Sequence, residues 1–106
     1  MAGRKSKRVR TIRRVSVGFL GANTRFSGDL VDLSKTGLLM RSSEELEPET
    51  LGRIGIEIGL DVFRSVVKVR RRVPHVGIAF QFMQMSPHDR ELLHRLLLSL
   101  EGHLGK

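Results

Sequence analysis

Arg10 and Arg14 stand with three residues between them, and Asp32-Leu33-Ser34-Lys35-Thr36-Gly37 follows at the end of an apolar run. The arginines present planar, permanently charged forks, which pair bidentately with phosphates and with the O6/N7 edge of guanine. Asp32 is an acceptor-only carboxylate, suited to the N1–H and N2–H₂ edge of the same base. Ser34 adds a hydroxyl, and Gly37 is expected to give a tight turn its positive φ while offering a backbone N–H. A ligand that is both anionic and guanine-bearing satisfies both motifs at once. Aspartate and serine also cap their own turns, so a structural role for this run stands beside the ligand role, and the two are compatible.

Other chemistry is thin. The four histidines, His75, His88, His94 and His103, lack metal-ligand spacing and are expected at the surface. There are no cysteines, which removes disulfides, thiolate metal sites and cysteine nucleophiles. Ser34 has no visible histidine partner to activate it, and no glycine-rich loop opens a helix to cradle phosphate. The expectation is a binding protein and not an enzyme, with no metal and no cofactor.

The elements that must hold these residues read as strands first and a helix last. Val15, Val17 and Phe19 alternate with Ser16 and Gly18, and Gly21-Ala22-Asn23 is turn chemistry. Thr24 to Leu33 forms a second strand, in which Gly28 suggests a bulge. Leu38 to about Ser42 forms a third, and the acidic stretch 43–50 with Pro48 forms a connection. Ile54, Ile56, Ile58 and Leu60 mark one buried face of a fourth strand. A fifth runs from Phe63 to Arg72, and a sixth carries Val76, Ile78, Phe80 and Phe82 inward. Six short, glycine-rich strands predict a small antiparallel β-barrel, an all-β-dominated fold. Ser86-Pro87-His88-Asp89 then caps a helix whose Leu92, Leu93, Leu96, Leu97 and Leu100 form one stripe ending near Gly102.

The 106 residues suit one domain: a flexible basic arm over 1–9, then a single domain over 10–102 with strands at about 14–83 and a helix at about 87–101. Of 19 basic side chains, seven lie in residues 1–14, leaving twelve against eleven acidic ones, so the body is nearly neutral. A basic arm recruits polyanions. No stretch reaches the length of a membrane span, and no apolar segment follows the basic start as in a signal peptide. The expected location is the cytoplasm.

In this order and register, Arg10/Arg14 and Asp32-x-Ser34-x-x-Gly37 resemble the signature of the PilZ domain family, bacterial receptors for the second messenger cyclic di-GMP. The resemblance covers about residues 8 to 100. It implies a six-stranded barrel with a C-terminal helix, with cyclic di-GMP as ligand and a downstream effector protein as partner. Arg10 and Arg14 would clamp phosphates and guanines, Asp32 would read a guanine edge, and Ser34 and Gly37 would contact base or phosphate. Arg13 would add charge, and His75 and Gly77 would flank the ligand at the start of the last strand. Arg4 and Arg8 repeat the arginine spacing. Arg10/Arg14 is preferred because the Val15-Ser16-Val17 strand begins directly behind Arg14, as in the family. The arm is expected to be mobile without ligand and to fold over it, a disorder-to-order signal for signal transduction. Two rivals are a nucleic-acid-binding barrel, disfavoured by the lack of Trp and Tyr, and a PilZ adaptor that binds no nucleotide.

Overall fold

The computed structural model describes residues 8–11 and 13–104. Seven strands run in chain order: β1 (Val9–Arg10), β2 (Ser16–Gly21), β3 (Thr24–Leu33), β4 (Gly37–Arg41), β5 (Leu51–Ile58), β6 (Asp61–Val73) and β7 (Gly77–Gln84). Helix α1 (Pro87–Leu104) follows. Every pairing is antiparallel, and six strands close a barrel in the order β3-β2-β5-β6-β7-β4, with β4 returning to β3. The six-stranded barrel and its terminal helix match the sequence expectation. β1 is an added strand, because residues just ahead of the barrel carry one more apolar side chain than the arm picture allowed.

The chain from Val9 to Gly21 follows one edge of β3 in two pieces. Val9 pairs with Leu33 and Arg10 with Asp32, and the Thr11 N–H donates to the Val31 carbonyl at 3.1 Å. The ladder resumes where the Leu30 N–H donates to the Val15 carbonyl at 2.8 Å and Ser16 pairs with Asp29. Arg13 and Arg14 stand outside it. Val9 is buried, so the segment expected to be an arm up to residue 9 already contributes a core side chain. Residues 1–7 of that arm lie outside the described residues.

Two hairpins use the turn chemistry their sequences announce. Ala22 and Asn23 both take positive φ, 53° and 61°, the type I′ geometry that matches strand twist. At Gly59 (φ 62°) and Leu60 the turn places glycine first, as type II′ requires. The alternation of Ile54, Ile56 and Ile58 predicts that Leu60 continues the buried face of its strand. The chain reverses there instead, and Leu60 is fully exposed.

The core is filled from the inward parity of the strands. Val17, Phe19, Leu33, Leu38, Met40, Ile56, Phe63, Val67, Ile78 and Phe80 are almost wholly buried. Phe19 stacks on Phe80 at 5.4 Å and tilts against Phe26 at 5.2 Å, while Phe63 meets Phe82 edge-on at 5.6 Å. All five phenylalanines are thereby used inside. The predicted leucine stripe of α1 is buried, and the helix packs against β6 and β1. It runs past Gly102 to Leu104, so that glycine does not end it.

The helix start is held to the barrel by one carboxylate. The Ser86 hydroxyl accepts from the Asp89 N–H at 3.0 Å and donates to Asp89 Oδ2 at 2.6 Å. Asp89 Oδ1 accepts from the backbone N–H of Arg64 in β6 at 3.0 Å. Burial acts to raise the Asp89 pKa, but the Ser86 and Arg64 hydrogen bonds and the charges of His88 and Arg64 outweigh it and lower the pKa. A lowered carboxylate pKa stabilises the fold above the ordinary value of 3.8, and that contribution is lost as pH falls through the folded-state pKa. Asp89→Asn should therefore lower the thermal transition at about pH 6, with the gap to the wild type closing in acid. Thermal melts across pH check this, and a constant gap would mean the charge is not involved. Ser86→Ala should cost about 1 kcal/mol at neutral pH.

Candidate functional site

Strict alternation along β3 would turn Asp32 inward, since Leu30 is a core residue. The structure prevents this with a bulge. Leu30 pairs with Met40 and Asp32 with Leu39, so Val31 is the extra residue. Leu33 returns to the core while Asp32 faces outward. The bulge expected at Gly28 lies here instead. At Gly28 the need is close approach: a Cβ there would run into the Arg41 carbonyl and the Met40 side chain. A second bulge does the same in β6. Val69 pairs with Phe80 and Arg71 with Ala79, which leaves Arg70 unpaired and sends both arginines outward.

Because paired residues share a face, Arg10, Asp32, Leu39, Ala79 and Arg71 form one outward row across β1, β3, β4, β7 and β6. Along this row lies a groove of about 740 Å³, walled by Arg8, Asp32, Thr36, Arg70, Arg71 and Gln81. Arg8 Nη1 donates to Asp32 Oδ1 at 2.8 Å, with the two side chains 39% and 18% exposed. Such a partly exposed pair contributes roughly 0.2–1 kcal/mol, so it orients both groups yet exchanges partners easily. Three cations against one carboxylate make the groove a site for an anion that can also donate hydrogen bonds.

The Ser34–Gly37 turn is a closed unit behind this row. The Ser34 N–H donates to the Gly37 carbonyl at 2.9 Å, and the Ser34 hydroxyl accepts from the Thr36 N–H at 3.1 Å. Ser34 is buried, though it borders the groove. Its hydroxyl therefore serves its own turn. Gly37 does not take the positive φ expected of it. It is glycine because a Cβ would strike the Phe80 carbonyl of the neighbouring β7.

A family model described as PilZ domain matches residues 3–99. The chain belongs to the PilZ domain family. The PilZ domain of CeSA from a cellulose synthesizing bacterium superposes with a TM-score of 0.71 at 17% identity, over 90% of this chain and 98% of that one. The PilZ domain of YcgR from Escherichia coli, solved with c-di-GMP, gives 0.74 at 21%, over 95% and 93%. A YcgR complex with c-di-GMP gives 0.78 at 22%, covering 95% of this chain and 47% of that one. At these identities the likeness establishes the fold. No curated protein matches the chain.

Within this PilZ domain the sequence-predicted residues divide between three places. Asp32 and Ser34 line the groove, Gly37 closes the turn behind it, and Arg10 shares the outward row with Asp32. Arg13 and Arg14 lie elsewhere. Arg13 Nη2 donates to the Ser99 hydroxyl of α1 at 3.3 Å, and Arg14, 83% exposed, stands 3.9 Å from Asp29. His75, at φ 65° in the β6–β7 turn, lines with Gly77 a neighbouring hollow that meets the groove at Val73. A Cβ on Gly77 would collide with the Met40 carbonyl, so its role is to let β4 and β7 approach.

Sequence reasoning missed Arg8 as the partner of Asp32, and Arg70 and Arg71 altogether. The run Arg70-Arg71-Arg72 was the available signal, hidden because the body's net charge averages to nearly zero. Among the described residues no cluster of histidine and carboxylate side chains could hold a metal, and no helix is long and apolar enough to cross a membrane. If close approach is what Gly37 provides, Gly37→Ala should cost about 1–3 kcal/mol although its φ suits alanine. Urea denaturation checks it, and full stability would show that β7 yields without strain.

Proposed function

We propose that this domain binds cyclic di-GMP in the groove between β1, β3, β4, β6 and β7 and passes the binding event to an effector protein. The observation that carries the reading is the Arg8–Asp32 pair facing Arg70 and Arg71 across one groove. Guanine offers N1–H and N2–H₂ to a carboxylate and O6/N7 to a guanidinium, and the ligand's two phosphates suit the remaining arginines. A volume near 740 Å³ lies within the range for small-ligand sites. The PilZ domain of YcgR, similar in fold, was solved with c-di-GMP.

Binding proceeds by an exchange of partners. Asp32 accepts the guanine edge in place of Arg8 Nη1, and the released Arg8 fork turns to base or phosphate. Arg8 lies beside β1, so the exchange pulls on the segment leading into the barrel, and this movement is the signal to the effector. Arg4, whose spacing repeats that of Arg10 and Arg14, lies outside the described residues; the proposed arginine pair is Arg4/Arg8, with Arg10 flanking. PilZ domains are receptor modules, and the domain acts here without catalysis. The nucleic-acid alternative loses its platform, since all five phenylalanines pack in or against the core.

Calorimetry with cyclic di-GMP, and with GTP and single-stranded RNA as controls, tests the proposal. Arg8→Ala should weaken cyclic di-GMP binding about ten- to a hundredfold, since a hydrogen bond to a charged group contributes roughly 1.5–3 kcal/mol. Arg14→Ala should leave it nearly unchanged. The opposite pattern would place the ligand on the other arginine pair, and no binding by the wild type would leave the fold as a protein adaptor.

A further inference from the structure

Gly18 and Gly55 are paired across β2 and β5, in the middle of the barrel wall. Neither has a structural reason to be glycine. A Cβ on Gly18 would find its nearest neighbour at 4.0 Å, the Gly55 carbonyl. One on Gly55 would sit 3.7 Å from Val62 Cγ1, an ordinary contact, and neither residue has positive φ. Interior strand glycines weaken a strand, and where packing does not demand them they mark a place where another chain or ligand comes close.

The residues around this bare floor are chosen in kind. Arg64 lies opposite Gly55, Leu20 lies between Arg53 and Arg25, and Ser27 lies opposite Gly18, all on the outward face. Arg25, Arg53 and Arg64 line one hollow of about 580 Å³ with Leu20, which is 52% exposed. A second hollow of about 520 Å³ shares Gly18, Ser27 and Gly55 and adds Arg13 and Arg14. β2 and β5 lie across the barrel from β4 and β7, so this face is separate from the groove of Asp32.

We infer that the β2–β5 face, floored by Gly18 and Gly55 and edged by Arg25, Arg53 and Arg64, docks an acidic segment of a partner protein that brings an apolar side chain to Leu20. Guanidinium forks complement carboxylates, and the glycine floor lets a backbone approach the sheet. A nucleic acid fits less well. Phe26, the partly buried aromatic side chain that reaches this hollow, packs against the core and tilts onto Phe19, so it is a poor platform for stacked bases. The inference is independent of the ligand reading, because it concerns a different wall of the barrel.

Backbone NMR titration of the full chain with a short peptide of glutamates interrupted by leucines, without cyclic di-GMP, tests it at affinities down to millimolar. Shifts should concentrate at Gly18, Leu20, Gly55 and Arg64. Arg25→Glu with Arg53→Glu should weaken the peptide at least tenfold while cyclic di-GMP binding, measured separately, stays unchanged. Gly18→Val should fold with an unchanged or raised thermal transition and lose the peptide. Absent shifts, shifts spread over all basic residues, or tighter binding of poly-uridine RNA at the same face would overturn the inference. So would a Gly18→Val protein that is destabilised, since the glycine would then serve the fold.

Discussion

Two one-residue bulges, at Val31 in β3 and Arg70 in β6, decide where this domain can do chemistry. A strand offers alternate residues to core and solvent, and a charged residue two places from a core residue would be driven inward. Each bulge shifts the parity by one, so Asp32 and Arg71 emerge on the same outer row while Leu33 and Val69 stay in the core. Without them the barrel would bury a carboxylate and a guanidinium that its interior has no means to satisfy. Among the described residues no buried side-chain polar atom is left unpartnered.

Close backbone approach around β4 supports that arrangement. This five-residue strand sits between β3 and β7, and Gly28, Gly37 and Gly77 each lack a side chain where a Cβ would meet a neighbouring carbonyl. The tight seam brings Leu39 and Ala79, small or moderate side chains, to the floor between Asp32 and Arg71. The Ser34 turn hands the chain from β3 to β4 at a fixed angle, so the hydroxyl and the glycine of the D-x-S-x-x-G run hold the carboxylate in place from behind.

The segment entering the barrel ties the two charged walls together. Arg8 reaches Asp32 on one side, Val9 is buried beneath it, and Arg13 and Arg14 emerge a few residues later beside α1 and Asp29. A short, partly paired stretch thus links Arg8 to the neighbourhood of the helix and of the β2 wall. Its charged pairings, Arg8 with Asp32 and Arg14 with Asp29, are partly exposed and each contributes little to stability.

The sequence by itself determined the barrel, the helix and the turn that carries Asp32 and Ser34. Period-two alternation located four of the six barrel strands, runs bounded by turn residues located the other two, the leucine stripe located the helix face, and Ser86 and Asp89 marked its start, because each of these is a local pattern. Tertiary structure alone decided which arginine meets Asp32. Arg8, Arg10 and Arg14 are chemically alike, and their spacing says nothing of which edge of β3 the incoming segment follows or where it leaves the ladder. It also decided that Gly37 and Gly77 clear a neighbouring backbone while Gly18 and Gly55 clear nothing in the fold. A glycine's reason lies in what stands beside it, and neighbours across a closed sheet are set by strand pairing between residues far apart in sequence.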